Sequence, residues 1–281
     1  MTARMMTSER NFQEGLPDIQ SSVDDRNIAI SRVGVTSIRW PIRFVSSSQQ
    51  QITEQATIAS FDMFVCLPAD RKGTHMSRFL QLLNEWNSHF SIESLKSFCR
   101  TICEKLDSDD SYVTVRFPYF VDRLAPVTGE AGKIQLEITI DVKSGSQDDL
   151  VMTVTGPATS LCPCSKEISA RGAHNQRCKL AVSFRCKTQT EISIEELYEM
   201  MEQSASTQIF PILKRPDEKW VTEAAYDNPK FVEDIVRDLA LALSGDDRIA
   251  WYRCSSENYE SIHQHNAFGE IESDRDLTSL S

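Results

Sequence analysis

Apolar residues recur along the first half of the chain with two different spacings, which together predict an order of strands and helices. Two segments, residues 76–86 and 95–106, carry apolar residues at helical spacing. Alternating apolar positions instead predict strands over residues 33–45, 113–119 and 134–142, and the Thr- and Ile-rich segment 51–67 is predicted to form another strand. Pro41 places the first of these strands at an edge or a bulge. The predicted order is therefore β-β-α-α-β-β.

The second half of the chain repeats this order. Strands are predicted over residues 150–155 and 180–186, and Ser193 and Glu196 form a capping box that opens a helix. Asn228-Pro229 is predicted to cap another helix, and the apolar stripe of that helix ends at Ser244-Gly245. Predicted strands over residues 248–254 and 258–267 complete the pattern, and the acidic segment from Gly269 is predicted to be loose.

These elements predict an α+β fold made of tandem ββααββ modules, in which helices cover one face of each antiparallel sheet. Open sheet edges favour closure into barrels on oligomerisation. We expect a flexible N-terminal arm over residues 1–30, a first module over 31–145, a second module over 146–268 and an acidic tail over 269–281.

Composition narrows the functional classes. The 281 residues carry a net charge of −11, which argues against a sequence-independent nucleic-acid surface or an anionic membrane surface. No apolar run is long enough to span a membrane, and the first thirty residues lack the apolar core of a secretory signal. The eight cysteines fall mostly in apolar periodic segments, with Cys99 in a predicted core stripe. Reduced thiols and a cytoplasmic location are expected.

The most informative chemistry lies in one stretch. Cys162 and Cys164 flank Pro163, and His174 follows twelve residues after Cys162. A thiolate and an imidazole held close together suit zinc, iron or manganese. Because Pro163 fixes its own φ and restricts the preceding residue, we expect a stiff loop rather than a helix face. Core filling, or a structural zinc site with further ligands, are the alternatives.

Five motifs together resemble the type IB GTP cyclohydrolases over roughly residues 30–268. They are SLCPCSKEIS at 160–169, GAHNQR at 172–177, KRPDE at 214–218, NPKFVED at 228–234 and KGTHMSR at 72–78. The resemblance implies the tunnelling fold, with two modules per subunit in a homotetramer and sites at subunit interfaces. It also implies conversion of GTP and water to 7,8-dihydroneopterin triphosphate and formate, the first step of folate-type pterin synthesis.

The resemblance also implies a ligand set and roles for individual residues. A divalent metal, Mn²⁺, Zn²⁺ or Fe²⁺, would bind Cys162, His174 and Glu218 and activate water for attack on C8 of guanine. Glu233 would accept hydrogen bonds from guanine N1–H and the 2-amino group. His263, in a cluster with Glu260 and His265, is the expected proton shuttle.

Cys164 is also assigned to catalysis, with three roles left open. It could be a spare ligand, a hydrogen-bonding thiol, or a partner of Cys162 in a strained and easily reduced disulfide. Oxidation of this pair would then inactivate the enzyme.

An acidic protein needs local cations to hold a triphosphate. We assign Lys166, Arg177 and His75 to substrate binding. The sequence does not rank the further cations. They flank the metal loop, the first helix and the KRPDE motif: Arg71, Lys72, Arg78, Arg171, Lys214 and Arg215.

Two other functions remain open at this point. One is a nitrile reductase of the same fold, which would act on a 7-deazaguanine precursor with a cysteine nucleophile and NADPH. The other is a non-enzymatic oligomer with a structural metal. The pairing of Cys162 with His174, with Glu218 available, favours metal-dependent hydrolysis over the first, and chelation would separate it from the second.

Overall fold

The computed structural model of the chain describes residues 20, 22–47, 52–86, 89–187 and 190–273. Most of the predicted N-terminal arm and of the acidic tail lies outside these residues. The described end of the arm contacts the segment before the first helix, where Asp24 N–H donates to the carbonyl of Asp70 and Lys72 N–H donates to the carbonyl of Ser22.

The described residues contain nine strands and six helices. The strands are β1 (Ile30–Ser47), β2 (Ile52–Leu67), β3 (His89–Phe90), β4 (Asp110–Leu124), β5 (Ala131–Gly145), β6 (Asp149–Leu161), β7 (Asn175–Cys186), β8 (Ile249–Asn258) and β9 (Ala267–Glu272). The helices are α1 (Met76–Glu85), α2 (Ile92–Lys105), α3 (Pro163–Ile168), α4 (Ile194–Gln203), α5 (Arg215–Asp227) and α6 (Val232–Gly245).

All nine strands join one sheet in the order β3-β1-β2-β4-β5-β6-β7-β8-β9. Every pairing is antiparallel except the short parallel contact between β1 and β3. β1 is next to the edge of the sheet, and Pro41 precedes Arg43 and Phe44, the two residues of β1 that pair with the short edge strand β3. The predicted α+β class is confirmed.

The pairing of β5 with β6 connects the first half (residues 22–145) to the second half (residues 149–273). The register runs from Glu137 opposite Thr155 to Lys143 opposite Asp149. Gly145 begins the turn with a φ of 136° and approaches Asp109 so closely that a side chain would clash. The two halves are therefore bonded through the backbone of a single sheet.

Helices cover one face of this sheet, and the core lies between the two layers. In the first half Phe79, Leu83, Leu95, Cys99 and Ile102 are fully buried, which confirms the core position of Cys99. In the second half the buried helical residues include Leu197, Met201, Ile235 and Leu239. Each fully buried large apolar side chain contributes roughly 1.5–3 kcal/mol of transfer free energy. This layer fixes the positions from which the site loops depart.

Two contacts anchor α4 to the strands beneath it. Gly156 of β6 carries no side chain, and an added Cβ would lie 2.5 Å from the ring of Tyr198 and 2.8 Å from Leu136. Glu202 is completely buried and forms an ion pair with Arg123 of β4. Arg123 Nε and Glu202 Oε1 are buried without a hydrogen-bond partner among the described residues. This pair joins a strand of the first half to a helix of the second half.

The structure corrects three boundary predictions. Asn228 is the C-cap of α5, and α6 begins later, at Val232, with Phe231 as its N-cap. Residues 259–266 form turns and bends rather than a strand, and β9 starts at Ala267. The segment from Gly269 to Glu272 is therefore part of the edge strand β9 and not of a loose tail. The capping box of Ser193 and Glu196 is confirmed.

Among the described residues, no helix is long and apolar enough to cross a membrane.

Candidate active site

Cys162 lies at the junction between β6 and the short helix α3. It is the N-cap of α3, with φ −70° and ψ 118°, and Ser165 N–H donates to its Sγ at 3.4 Å. Pro163 occupies the first helical position, where its fixed φ favours a helix start. The predicted stiff loop is therefore a helix start, which leaves Cys162 half-buried and Cys164 exposed on the first turn.

Three hydrogen bonds lock His174 to the Cys162 segment. Cys162 N–H donates to the carbonyl of His174 at 3.1 Å. His174 N–H donates to Ser165 Oγ at 3.1 Å, and the Ser165 hydroxyl donates to the carbonyl of Cys162 at 3.1 Å. Although twelve residues separate them, Cys162 and His174 are held side by side by their own backbones.

The His174 ring contacts a buried polar network. Its Nδ1 lies 3.0 Å from Oε1 of Gln176, whose side chain also reaches Glu260 Oε1 at 3.4 Å and Ser160 Oγ at 3.5 Å. Asn258 Nδ2 donates to the same Ser160 oxygen at 3.0 Å.

Sequence reasoning did not identify the buried members of this network, Ser160, Gln176, Ser256 and Asn258. The signal was present, because each is a polar residue at an inward-facing position of an alternating strand. In β7, for example, Gln176 precedes Cys178, Leu180 and Val182 on the buried face.

Glu218, the third predicted metal ligand, lies in the first turn of α5 and is exposed. Among the described residues, no three His, Cys, Asp or Glu side chains lie close enough together to hold a metal ion. One copy of the chain does not by itself bring Glu218 to Cys162 and His174, so the full ligand set stays a prediction.

Asp217, next to Glu218, is buried and anchors α5. Its carboxylate accepts from Val127 N–H and Thr128 N–H at 2.9 Å, from the Thr128 hydroxyl at 2.7 Å and from Lys214 N–H at 2.9 Å. Desolvation alone would raise the pKa of Asp217, but these hydrogen bonds to the charged form hold its pKa well below the usual range. The helix that carries Glu218 is thus fixed by the hydrogen bonds of the Asp217 carboxylate.

Glu233 is exposed on the first turn of α6, close to the Cys162 segment. Lys230 N–H donates to the carbonyl of Leu161 at 3.0 Å, and the Ser160 hydroxyl donates to the carbonyl of Lys230 at 3.1 Å. The start of α6 is therefore tied to the end of β6. The structure brings Glu233 into the same region of the chain as Cys162 and His174.

The predicted substrate cations are divided between two regions. Lys166 Nζ donates to the carbonyl of Tyr226 at 2.5 Å and lies 4.4 Å from the centre of the Tyr226 ring, which links α3 to α5. Arg177 is exposed on β7 beside the site, whereas His75 is the N-cap of α1 in the first half. Of these three residues, Lys166 and Arg177 accompany Cys162 within one copy.

His263 and His265 lie in the turn between β8 and β9, and both are exposed. Their rings stack with centroids 5.0 Å apart and an angle of 14° between planes. The two side chains therefore lie together in a turn, and not on the face of a strand. The turn starts beside His174, because Glu260 accepts a hydrogen bond from Gln176.

Several other cysteines belong to the core. Desolvation raises the pKa of Cys99 to about 11, that of Cys178 to about 12 and that of Cys254 to about 11. Neutral buried thiols are poor nucleophiles and poor ligands. Among the described cysteines, Cys164 has the most exposed side chain, and it lies two residues from Cys162.

Comparison with known proteins supplies independent information. The family model of type I GTP cyclohydrolase folE2 matches residues 16–269. "GTP cyclohydrolase FolE2" of Nitrosomonas eutropha is 45% identical over 269 residues, covering 95% of this chain and 99% of that protein. The protein of the same name from Magnetococcus marinus is 47% identical over 263 residues, covering 93% and 97%.

Solved structures with a similar fold are remote in sequence. A uricase from "Bacillus fastidious" superposes with a TM-score of 0.53 at 8% identity, covering 89% of this chain and 93% of that one. A highly active mutant of Bacillus sp. TB-90 urate oxidase gives a TM-score of 0.52 at 7% identity, covering 87% and 99%. These similarities concern the fold alone.

Proposed function

We propose a metal-dependent active site around Cys162 for this chain, which belongs to the type I GTP cyclohydrolase folE2 family and is a GTP cyclohydrolase. It converts GTP and water to 7,8-dihydroneopterin triphosphate and formate. Family membership decides against the nitrile reductase and the non-enzymatic oligomer. The observation that carries the site is the set of hydrogen bonds that places Cys162 beside His174.

The donor atoms in this region fit a borderline divalent ion. Cys162 offers a half-buried sulfur, and His174 offers a ring nitrogen whose orientation is fixed by Gln176. Glu218 would complete an S, N, O set that admits Zn²⁺, Mn²⁺ or Fe²⁺ and leaves a position open. When bound, the ion supplies Lewis-acid activation of water for hydrolysis at C8 of guanine.

Glu233 would orient the purine. An ionised carboxylate only accepts hydrogen bonds, and guanine presents N1–H and the 2-amino group as adjacent donors. α6 starts beside the Cys162 segment, so a purine held by Glu233 would lie near Cys162. Lys166 and Arg177 would bind phosphate in a protein whose net charge of −11 otherwise repels it.

We assign proton transfer to the turn between β8 and β9. His263 is the proposed shuttle, and stacked His265 is its nearest alternative. Cys164 projects from the first turn of α3, where its thiol could hydrogen-bond the substrate or pair with Cys162 on oxidation.

The site would be completed in a cytoplasmic homotetramer with sheets closed into barrels. β9 has no partner on its outer side among the described residues, and an open strand edge favours pairing with another chain. Large apolar side chains are exposed on or near α5 and β9: Ile212, Trp220, Tyr226, Phe231, Ile262 and Phe268. A neighbouring copy would cover them and would supply the groups that one copy leaves distant, Glu218 and His75 among them.

The direct test is incubation of the purified protein with GTP and Mn²⁺ or Zn²⁺, following formate and pterin fluorescence. Cys162→Ala should abolish formate release without changing the sedimentation coefficient. Cys66→Ala, which alters another half-buried thiol far along the sheet, is the matched control and should retain activity. Activity in Cys162→Ala equal to that of the control would refute the site.

Chelation provides a second test. A catalytic metal should leave the fold intact when removed, whereas loss of a structural metal unfolds a protein. We expect the chelated protein to be inactive, with its cooperative thermal transition retained. Loss of that transition on chelation would contradict the proposed role of the metal.

A further inference from the structure

We propose that Gln176 is a positioning residue that fixes the His174 imidazole in one tautomer, with the proton on Nδ1 and the lone pair on Nε2. Ser160 and Glu260 in turn fix the orientation of the Gln176 amide. The inference deepens the proposed function, because it rests on His174 being a metal ligand. Its physical basis is a chain of hydrogen bonds in which the donor and the acceptor of each contact are fixed.

The chain of hydrogen bonds begins at Ser160. A serine hydroxyl carries one hydrogen and two lone pairs, and this hydroxyl donates its hydrogen to the carbonyl of Lys230 at 3.1 Å. A carbonyl oxygen can only accept. Ser160 Oγ must therefore accept from its other neighbours, Asn258 Nδ2 at 3.0 Å and Gln176 Nε2 at 3.5 Å.

The second step concerns the amide of Gln176. One end of this amide faces two acceptors, Ser160 Oγ and Glu260 Oε1, the latter at 3.4 Å. An ionised carboxylate cannot donate, so the end that faces Glu260 must be the NH₂ group. The amide oxygen then points at Nδ1 of His174, 3.0 Å away. Only 8% of Gln176 is exposed, so water does not compete freely for these contacts.

The third step fixes the imidazole. An amide oxygen only accepts, so Nδ1 of His174 must carry a hydrogen, and in the neutral ring Nε2 then holds the lone pair. A metal binds the unprotonated nitrogen, and partners of this kind typically change metal affinity by 10- to 100-fold. The neutral amide supplies this orientation without adding a negative charge against the ring.

The test uses Gln176→Met, which keeps an unbranched side chain of similar length but removes the acceptor. Ser256→Ala is the matched control, because Ser256 is also buried in the network yet contacts only Asn258 within it. With ¹⁵N-labelled histidine, and with the His174 signal assigned from His174→Ala, the metal-free parent should show a pyrrole-type Nδ1 and a pyridine-type Nε2. Gln176→Met should show a mixture of tautomers, and Ser256→Ala should match the parent.

Competition with a chromophoric chelator gives the second readout. Gln176→Met should bind Zn²⁺ roughly 10- to 100-fold more weakly, while Ser256→Ala should match the parent. An unchanged tautomer and affinity in Gln176→Met would overturn the inference. If His174→Ala left Zn²⁺ affinity unchanged while Gln176→Met still altered the tautomer, the proposed metal site would fail but the positioning role would stand.

Discussion

The buried ion pair between Glu202 and Arg123 predicts an unusual pH dependence of stability. Desolvation raises the pKa of Glu202 to about 7 from its ordinary value of 4.5, and the attraction of Arg123 only partly offsets this effect. Between those values the folded protein holds a proton that the unfolded chain has released. The stabilisation that the folded protein gains from holding this proton is therefore fully present below pH 4.5 and is lost as the pH rises toward 7.

The size of this contribution follows from the two pKa values. At about 1.4 kcal/mol for each pKa unit, the interval between 4.5 and about 7 corresponds to roughly 3 kcal/mol. Glu202→Gln removes the titrating group and nearly preserves its shape. The free energy of unfolding of the variant should not fall in this way. Between pH 4.5 and about 7, the parent should therefore lose up to about 3 kcal/mol of stability relative to the variant.

Urea unfolding followed by circular dichroism, at fixed protein concentration and at intervals from pH 5 to 8, measures this difference. Glu85→Gln is the matched control, because Glu85 is an exposed carboxyl at the end of α1, in the other half of the chain. The Glu85→Gln curve should run parallel to that of the parent, and the Glu202→Gln curve should diverge. Parallel curves for all three proteins would show that Glu202 titrates as an ordinary carboxyl and would refute the reasoning.

Three further predictions concern single contacts. Glu233→Gln should lower kcat/KM for GTP by about 10- to 150-fold in steady-state assays, because an amide cannot accept both guanine donors; an unchanged ratio would remove Glu233 from the purine site. Ser193→Ala should cost about 1 kcal/mol in urea unfolding, because α4 loses its capping box. Gly156→Ala should cost about 1–3 kcal/mol in the same assay, because the added methyl meets the Tyr198 ring and Leu136, and equal stability would show that both can shift.

The sequence predicted the strands of the sheet well because burial on one face imposes strict alternation, as in β4 and β5. It failed where helices are short or weakly amphipathic. α3 has only six residues, and α5 buries only Asp217 and Ala225, so neither has the apolar stripe that marks a helix.

The candidate site was predictable only in part. Cys162 and His174 stood out by residue type, but nothing in their spacing shows that Ser165 joins their backbones. Gln176 and Asn258 passed unnoticed because an isolated polar residue on a strand gives no hint of its partners. The proposed convergence of Glu218 with these residues would depend on contacts beyond one copy, which the periodicity of a single sequence does not encode.

Asp217 has a consequence for attempts to divide this protein. Two of its donors, Val127 and Thr128, belong to the hairpin between β4 and β5, whereas Glu218 belongs to α5. A separately expressed second half would therefore keep the cysteine loop but lose the clamp that orients Glu218. The first half would thereby hold in place a proposed metal ligand of the second half, and we expect neither half to be active alone.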